Sequence, residues 1–334
     1  MGNTNIKTLA LALNLSAATV SRALRDSHEI SAETKQKVWA LAKSLNYEPN
    51  PSASNLRSQK SKTIAVIIPE VANNFFSQAI NGIEEIARKH GYHVLIYQTH
   101  EDSQAEVDFI RRLLSGRVDG ILISIASDTS SNQYFKDFVG QLPIVFFDRI
   151  FEDIDAVKII TNDYESAYNA TQHLIDCGCK RIVYLSGLGN LLTGKKRLSG
   201  YLDALKNNCI SFDKKFILDG YADEDENRRE IKNVLITQNP DGIVSSIEDM
   251  ALPCYYACKE LSLNIPDDVK IISFSNLKTA PLLNPSLTTI TQPALEIGEE
   301  AANILFKILN KKDIEINETI VLKSILIKRE STAC

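Results

Sequence analysis

Residues 63–99 read TIAVIIPEVANNFFSQAINGIEEIARKHGYHVLIYQT, and this stretch decides the fold of most of the chain. Two apolar runs, 63–69 and 93–99, flank a helical stretch at 75–91. The runs are continuous rather than alternating, as expected for parallel strands that are buried on both faces. The stretch therefore predicts a strand, a crossover helix and a second, parallel strand.

The same pattern of apolar runs and helical stretches recurs further along the chain. The later apolar runs are DGILIS (119–124), PIVFFD (143–148), RIVYLSG (181–187), DGIVSS (241–246) and KIISFSN (270–276). A second helical stretch, ESAYNATQHLIDCG, occupies 165–178. The series predicts a doubly wound α/β fold in two similar lobes that divide near Thr161. A cleft between two such lobes commonly binds a small molecule.

The N-terminal part of the chain has an all-helical pattern instead. NIKTLALAL (5–13) places its apolar residues on one helical face, and Asn14 tolerates the left-handed conformation of a tight turn. Ser16 and Ser31 are good N-caps for a second helix and for a third helix, about 32–44. The buried stripe of the third helix is predicted to be Val38, Leu41, Ala42 and Leu45. Three short helices of this kind predict a helix-turn-helix unit.

The second of these helices, in NLSAATVSRAL (14–24), carries an unusual surface. Its exposed face is predicted to hold Ala17, Ala18, Ser21 and Arg22, while Val20 and Leu24 point inward. Arginine can pair with the O6/N7 edge of guanine, and small side chains permit close approach to thymine methyl groups. The pattern indicates DNA binding, although an ordinary three-helix unit would share it.

Charge is distributed unevenly, which favours the DNA-binding interpretation. The chain has 334 residues and a net charge of −5. Residues 1–62 contain nine Lys/Arg and four Asp/Glu, a net charge of +5, so the remainder carries −10. A basic head on an acidic body indicates that the head meets a polyanion and the body does not.

A linker, YEPNPSASNLRSQKSK (47–62), follows the head. Ser52 could cap a short helix from Ala53 to about Arg57, and Leu56 could then enter the minor groove as an apolar wedge. A plain flexible tether is the simpler interpretation of the same residues.

Several other classes of protein are disfavoured. No apolar run approaches the roughly 18 residues that span a membrane, and MGNTNIKTLALALNLS has no small-residue cleavage pattern, so it is interpreted as mature structure. The six cysteines form no CxxC pair and are expected to be reduced thiols. His90 and His93 are separated by a helix-breaking glycine, so a metal site is not expected.

One motif favours a nucleotide site at first sight. Gly189, Gly194 and Lys195 in GLGNLLTGKK (187–196) match the spacing of a phosphate-binding loop, but Lys196 stands where Ser or Thr would hold Mg²⁺. The loop is better interpreted as part of a cleft that offers Thr193 and Arg197 to a ligand. No catalytic constellation is recognised, so neither an enzyme nor a cofactor is predicted.

Three separate segments resemble one family. LSAATVSRAL, the long run from EISAETK to KTIAV, and the late PSLTTITQP (285–293) are similar to the LacI/GalR-type (lactose-repressor and purine-repressor) family of bacterial transcription regulators. The resemblance implies a DNA-binding head, a hinge helix and a periplasmic-binding-protein-like core. Such a core dimerises and senses a small metabolite, often a sugar.

The resemblance also assigns contacts position by position. The implied DNA contacts are Ser16, Ala17, Ala18, Thr19, Ser21, Arg22, Ala53, Leu56 and Arg57. The implied effector contacts are Phe75, Phe76, Asp148, Arg149, Thr193, Arg197, Glu248 and Ser275. The implied domains are 1–48 (head), 49–62 (hinge), 63–161 with about 292–319 (N-terminal lobe), and 162–291 with about 320–334 (C-terminal lobe).

The chain departs from the family at three places. Ser275 replaces a ligand-binding aspartate, Ile247-Glu248 replaces Asn-Asp, and Thr161-Asn162 replaces Asp-Asn. Either the effector differs from a simple neutral sugar, or other groups such as Asp148 and Glu248 replace the missing carboxylate.

The expected protein is a cytoplasmic, homodimeric regulator, a repressor in the family's usual sense, that reads a pseudo-palindromic DNA operator. A carbohydrate or sugar derivative is the expected effector, and no membrane partner is expected. No C-terminal leucine heptad is recognised, which favours a dimer over a tetramer. A solute-binding protein without a regulatory role and a P-loop sugar or nucleotide kinase are the alternatives.

Overall fold

The computed structural model describes residues 5–47, 60–128, 133–220, 223–311 and 317–334. The chain divides into two compact units, 1–61 and 62–334, which are described separately below. The hinge contacts predicted at Ala53, Leu56 and Arg57 lie outside the described residues.

The first unit contains three helices, α1 (Ile6–Leu13), α2 (Ala17–Leu24) and α3 (Ala32–Ser44). Each helix begins after a polar N-cap whose side chain accepts a backbone N–H of the first turn, and the caps are Asn5, Ser16 and Ser31. Asn14 is left-handed, with φ of 51°, which makes the tight turn between α1 and α2. The helix-turn-helix prediction is confirmed.

The core of this unit lies between the three helices. Its buried residues are Leu9, Ala10, Val20, Ala23, Leu24, Val38 and Ala42. The prediction that Leu45 is buried was wrong, because α3 ends at Ser44 and Leu45 is 39% exposed. The chain turns at Asn46, where φ is 48°, and Tyr47 packs against the core instead.

The second unit has two lobes, each with a six-stranded sheet. The N-terminal lobe contains β1 (Thr63–Ile68), α4 (Asn74–Lys89), β2 (His93–Gln98), α5 (Ser103–Leu113), β3 (Gly120–Ile123), α6 (Gln133–Phe138), β4 (Ile144–Phe147) and β5 (Val157–Thr161). Two later elements, α11 (Ala294–Leu309) and β11 (Thr319–Leu322), complete it. The strand order is β11-β5-β4-β3-β1-β2, with all strands parallel.

The C-terminal lobe is built on the same plan. Its elements are α7 (Asp163–Asp176), β6 (Ile182–Ser186), α8 (Leu192–Asn207), β7 (Ile217–Asp219), α9 (Glu224–Gln238), β8 (Gly242–Ser245), α10 (Ala251–Glu260), β9 (Lys270–Phe274), β10 (Thr288–Thr291) and β12 (Ile325–Ile327). The strand order is β12-β10-β9-β8-β6-β7. Only β12, at the edge, is antiparallel among the described strands.

All seven apolar runs that predicted strands form strands, and the doubly wound fold is confirmed. Both sheets place the second strand of the lobe at one edge and the first strand beside it, which is the flavodoxin-like order. In that order the carboxyl ends of the first and third strands diverge and leave a crevice. Because the lobes share this topology, each contributes one such edge to the cleft.

The chain crosses between the lobes three times, at Asn162, at 292–293 and at 323–324. The third crossing lies slightly later than the boundary placed near 319. Residues Thr319–Leu322 pair in parallel with β5, so the N-terminal lobe extends through Leu322.

Glycines permit close helix packing within each lobe. Gly298 on α11 lies against the backbone of Ala79 on α4, and Gly200 on α8 lies against Tyr164 on α7. A Cβ atom at either glycine would overlap a backbone carbonyl oxygen. The glycines therefore bring these helix backbones together.

The expectation that all six cysteines are reduced was wrong for one pair. Cys177, which follows α7, is disulfide-bonded to Cys334, with Cα atoms 5.3 Å apart. The C-terminal segment is held nearby because the Ser331 hydroxyl donates to the carbonyl of Ile271, at 2.6 Å. Cys179, Cys209, Cys254 and Cys258 are free.

Candidate functional site

Helix α2 exposes three of the four residues predicted on its surface, and the fourth, Ser21, is half-buried. Ala17, Ala18 and Arg22 are exposed, whereas Val20 and Leu24 are buried against α1 and α3. Exposed methyl groups beside one flexible cation are consistent with the predicted approach to base-pair edges.

The polar residues of α2 already have partners within the head. The Ser16 hydroxyl accepts the Thr19 N–H at 3.0 Å and lies 2.8 Å from the Thr19 hydroxyl. The Ser21 hydroxyl accepts from Arg25 Nη2 at 2.7 Å. DNA contacts by Ser16, Thr19 and Ser21 stay predictions, and capping gives Ser16 a structural role as well.

A cavity lies in the second unit where the carboxyl ends of strands from both lobes meet. Its volume is about 50 Å³. The walls are therefore close together.

The eight residues to which the resemblance assigned effector contacts all line this one cavity. They are Phe75, Phe76, Asp148, Arg149, Thr193, Arg197, Glu248 and Ser275. Their contact with an effector stays a prediction. The structure brings them together because they follow strands or lie in the first two turns of helices at the facing edges of the two sheets.

The wall includes further residues that had not been interpreted as contacts. They are Asn73, Leu188, Ile247, Phe274, Asn276 and Gln292. A positional signal was available, since Leu188, Ile247 and Asn276 stand at or directly after the ends of predicted strands. Ligands bind outside the carboxyl ends of strands in such folds.

Aromatic rings form the apolar part of the wall. Phe75 and Phe76 pack edge to face, with ring centroids 5.3 Å apart, and Phe274 is buried in the opposite lobe. The Arg197 guanidinium stacks over the Phe274 ring at 3.9 Å. These rings offer flat apolar surfaces to a ligand.

Arg197 is held by a buried carboxylate that sequence reasoning missed. Arg197 Nε donates to Asp163 Oδ1 at 2.7 Å, and Arg197 Nη1 donates to the carbonyl of Ser246 at 2.5 Å. Arg197 and Asp163 are 3% and 4% exposed. Asp163 begins α7 directly after the first lobe crossing, and only the packing of α7 against α8 places it beside Arg197.

Asp148 and Arg149 follow β4 on the N-terminal side of the cavity. Arg149 Nη1 donates to both carboxylate oxygens of Glu101, at 2.7 and 2.9 Å, and Arg149 Nε lies 3.9 Å from Asp148 Oδ2. Arg149 lowers the pKa of Glu101 against the opposing effect of burial. Burial raises the pKa of Asp148 to about 6, although Arg149 and Arg197 oppose this shift.

Glu248 is the carboxylate on the C-terminal side. Its Oε2 accepts from the Ser275 hydroxyl at 2.6 Å and from the Asn276 N–H at 2.9 Å. Its Oε1 accepts from Asn74 Nδ2 at 2.5 Å. Ser275 therefore holds a carboxylate in place rather than supplying one.

Hydrogen bonds cross the cavity from lobe to lobe. Asn74 and Gln78 lie one turn apart on α4, and they donate to Glu248 and to the carbonyl of Asn276, the latter at 3.1 Å. Thr193 on α8 donates to the carbonyl of Asp148 at 3.3 Å. The residues of the cavity wall therefore also connect the lobes.

The alternative sites considered from the sequence have other surroundings. Lys196 lies 3.6 Å from Glu152 in an ion pair, and the His90 ring stacks on Phe306 with centroids 4.1 Å apart. Within the described ranges, no cluster of His, Cys, Asp or Glu could hold a metal ion. Nor does any helix in the described part of the chain have the length and apolarity to cross a membrane.

Two family descriptions match this chain, one for each unit. Residues 5–50 match the bacterial regulatory proteins of the lacI family. Residues 61–329 match the periplasmic binding proteins and sugar binding domain of the LacI family.

Individual relatives extend over nearly the whole chain. Catabolite control protein A of Staphylococcus xylosus is 31% identical over 90% of this chain and 91% of its own length. The HTH-type transcriptional repressor CytR of Escherichia coli K12 is 31% identical over 90% of this chain and 88% of its own. A Lac repressor dimer bound to operator and the anti-inducer ONPF shares the fold, with a TM-score of 0.89, 22% identity and 100% coverage of both chains.

Relatives such as CytR and PurR carry the name of HTH-type transcriptional repressors, a class of regulator and not of enzyme, as the sequence predicted. Both matched domains occur here in the order that the resemblance implied. This chain belongs to the LacI family of bacterial regulatory proteins.

Proposed function

We propose that this protein is a sequence-specific transcriptional repressor whose affinity for a DNA operator is controlled by a small effector in the cleft. The observation that carries the proposal is the surface of α2, where Ala17, Ala18 and Arg22 are exposed on a capped helix. Arg22 reads guanine, and the two alanines permit close approach to the bases. The basic head adds a sequence-independent attraction to phosphates.

The first experiment selects a preferred duplex from a random pool and then compares its affinity with that of a scrambled duplex. We expect Arg22→Ala to lower the discrimination by about 1–3 kcal/mol. Lys37→Ala, which removes the same charge from the exposed surface of α3, is the matched control and should leave discrimination unchanged. Equal binding of both duplexes by the wild-type protein would contradict the proposal.

Two copies of the chain would read the two halves of a pseudo-palindrome. Exposed apolar residues support a homodimer: Leu95 and Ile96 lie on the edge strand β2 and are 41% and 47% exposed. Leu282 in the other lobe is 80% exposed. Apolar edge strands are usually covered by a partner. Sedimentation should give a dimer, and Ile96→Asp should shift it toward monomer.

Effector binding would control DNA affinity through the arrangement of the lobes. The narrow cavity and its cross-lobe hydrogen bonds support this step, because a ligand of sugar size would have to part the walls. An effector shifts the DNA-competent population only by its differential affinity for the two states. The test measures operator affinity with and without any ligand that raises the melting temperature.

A DNA-reading regulator acts where the chromosome is, so we place this protein in the bacterial cytoplasm, at the nucleoid when bound. A solute-binding protein without a regulatory role would share the cleft, but the match of residues 5–50 to the lacI regulatory head opposes that alternative. The P-loop kinase alternative is opposed by Lys196, which pairs with Glu152 and cannot hold Mg²⁺ as Ser or Thr would.

A further inference from the structure

We propose that Glu248 determines which ligands enter the cleft, by accepting a hydroxyl group of an uncharged polyhydroxylated ligand and excluding ligands that carry phosphate or carboxylate. This inference rests on the proposed function of the cleft as an effector site. It identifies the group that replaces the family's missing aspartate at Ser275.

Both cations of the described cavity wall already have carboxylate partners. Arg197 pairs with Asp163 at 2.7 Å, and Arg149 pairs with Glu101 at 2.7 Å. Each guanidinium charge is therefore already balanced by a carboxylate, so an anionic ligand would gain little by sharing the remaining N–H groups, and displacing a partner would leave a costly unpaired charge. The guanidinium groups are therefore available to a ligand mainly through stacking and shared hydrogen bonds.

Glu248, in contrast, is held by neutral donors. In the described part of the chain no Lys, Arg or His nitrogen lies within 4.0 Å of its carboxylate, which the side chains of Ser275 and Asn74 and the Asn276 N–H position. A carboxylate has about four acceptor sites, so three donors leave room for about one ligand hydroxyl. Hydrogen bonds to a charged acceptor are about twice as strong as neutral ones.

Asp148 adds a second negative group on the facing lobe. Its Oδ1 accepts from Gln292 Nε2 at 3.4 Å, while Oδ2 has Arg149 Nε at 3.9 Å, beyond hydrogen-bond distance. Two carboxylates on opposite sides of a narrow cavity repel an anion. They suit a ring that carries hydroxyl donors on both edges.

The helix N-termini do not reverse this preference. The first N–H groups of α4, at Phe75 and Phe76, donate to the Asn73 side chain. The first turn of α8 borders the cavity at Thr193, but a helix N-terminus is equivalent to only about half a positive charge. The aromatic rings then favour a ligand with an apolar ring face, such as a neutral sugar or the ribose and base of a nucleoside.

The experiment measures the melting temperature of the full-length protein with matched pairs of probes. The pairs are glucose against glucose 6-phosphate and glucuronate, ribose against ribose 5-phosphate, and cytidine and adenosine against their monophosphates. We expect a neutral probe to raise the melting temperature and its anionic counterparts to have no effect. Whether the sugars or the nucleosides raise the melting temperature then identifies which class of ring compound the cleft binds.

Three variants test the role of Glu248. Glu248→Gln should lower the affinity for the neutral probe by about tenfold or more. It should also reduce the discrimination against the anionic counterpart of that probe. Asn74→Ala removes the cross-lobe hydrogen bond but keeps the carboxylate, so it should retain the discrimination. Glu248→Gln combined with Ser275→Asp moves the carboxylate to the neighbouring side chain and should restore the discrimination between neutral and anionic probes.

Stronger binding of an anionic probe to the wild-type protein would overturn the proposal, and so would a failure of every neutral probe to bind. Unchanged discrimination in Glu248→Gln would show a structural role alone. If that variant does not fold, the comparison of matched probes on the wild-type protein still tests whether the cleft prefers neutral ligands. DNA binding by the same preparation tests the proposed function separately. If the protein binds operator DNA but prefers anionic probes, only the inference about Glu248 is wrong.

Discussion

Arg22 on α2 forms an ion pair with Glu29, in the segment between α2 and α3, with Nη1 and Oε2 3.2 Å apart. Both side chains are about half exposed, at 50% and 54%. The residue proposed to read guanine therefore has an acidic partner within the head, and we expect that partner to compete with DNA.

We expect Glu29→Gln to raise DNA affinity by up to about fivefold at low salt, because an exposed ion pair contributes about 1 kcal/mol or less. The gain should shrink as salt screens the pair. Fluorescence anisotropy with the selected duplex measures it. Glu33→Gln, which breaks the exposed pair with Lys37, is the control for net charge, and an equal gain in that variant would refute a specific role for Glu29.

Asp163→Asn should destabilise the second unit strongly. Removing the carboxylate leaves the Arg197 guanidinium buried without its counter-charge, which typically costs 3–5 kcal/mol. Asp225→Asn removes a carboxylate from an exposed pair with Arg228, so it should cost under about 1 kcal/mol. Urea unfolding followed by far-UV circular dichroism compares the variants, and equal losses would contradict the prediction.

The stability of the protein should depend on pH through Asp148. Its pKa is raised from 3.8 to about 6 in the folded protein, so the folded state binds more protons than the unfolded state between these values. Stability from this group is therefore lost as pH rises through about 6, by about 3 kcal/mol in total.

The variant Asp148→Asn isolates this effect. Its melting temperature relative to wild type should be higher at pH 7.5 than at pH 4.5, because the wild type bears the cost of a buried charge only at the higher pH. Asp137→Asn alters an exposed carboxylate and should show no such difference. A constant difference between Asp148→Asn and wild type across this range would refute the pKa shift.

Gly298→Ala should destabilise the N-terminal lobe by about 1–3 kcal/mol or more. The added methyl group would overlap the carbonyl oxygen of Ala79, so α11 and α4 would have to separate. Lys307→Ala, at an exposed position of α11, should have little effect. Thermal unfolding measures both, and a neutral effect of Gly298→Ala would show that the helices can shift at low cost.

Seven of the described strands followed directly from continuous apolar runs, as expected for buried parallel strands, although β2 lies at a sheet edge and is partly exposed. Five described strands, β5, β7, β10, β11 and β12, were not predicted, and two of them have weak signals for identifiable reasons. β7 has only three residues, and β12 alternates between exposed and half-buried positions at the edge of its sheet. The exposure of Leu45 was mispredicted because helical periodicity does not indicate where the chain leaves the helix.

Local sequence determined the capped helices of the head, the exposed face of α2 and the apolar strands, because caps, turns and burial periodicity act over a few residues. It also identified eight residues of the cleft wall through their family positions. Only the tertiary structure decided how the charges pair. Asp163 is 34 residues from Arg197, and Asn74 is 174 residues from Glu248. Such pairs depend on the packing of helices and the approach of two lobes, which no local pattern encodes.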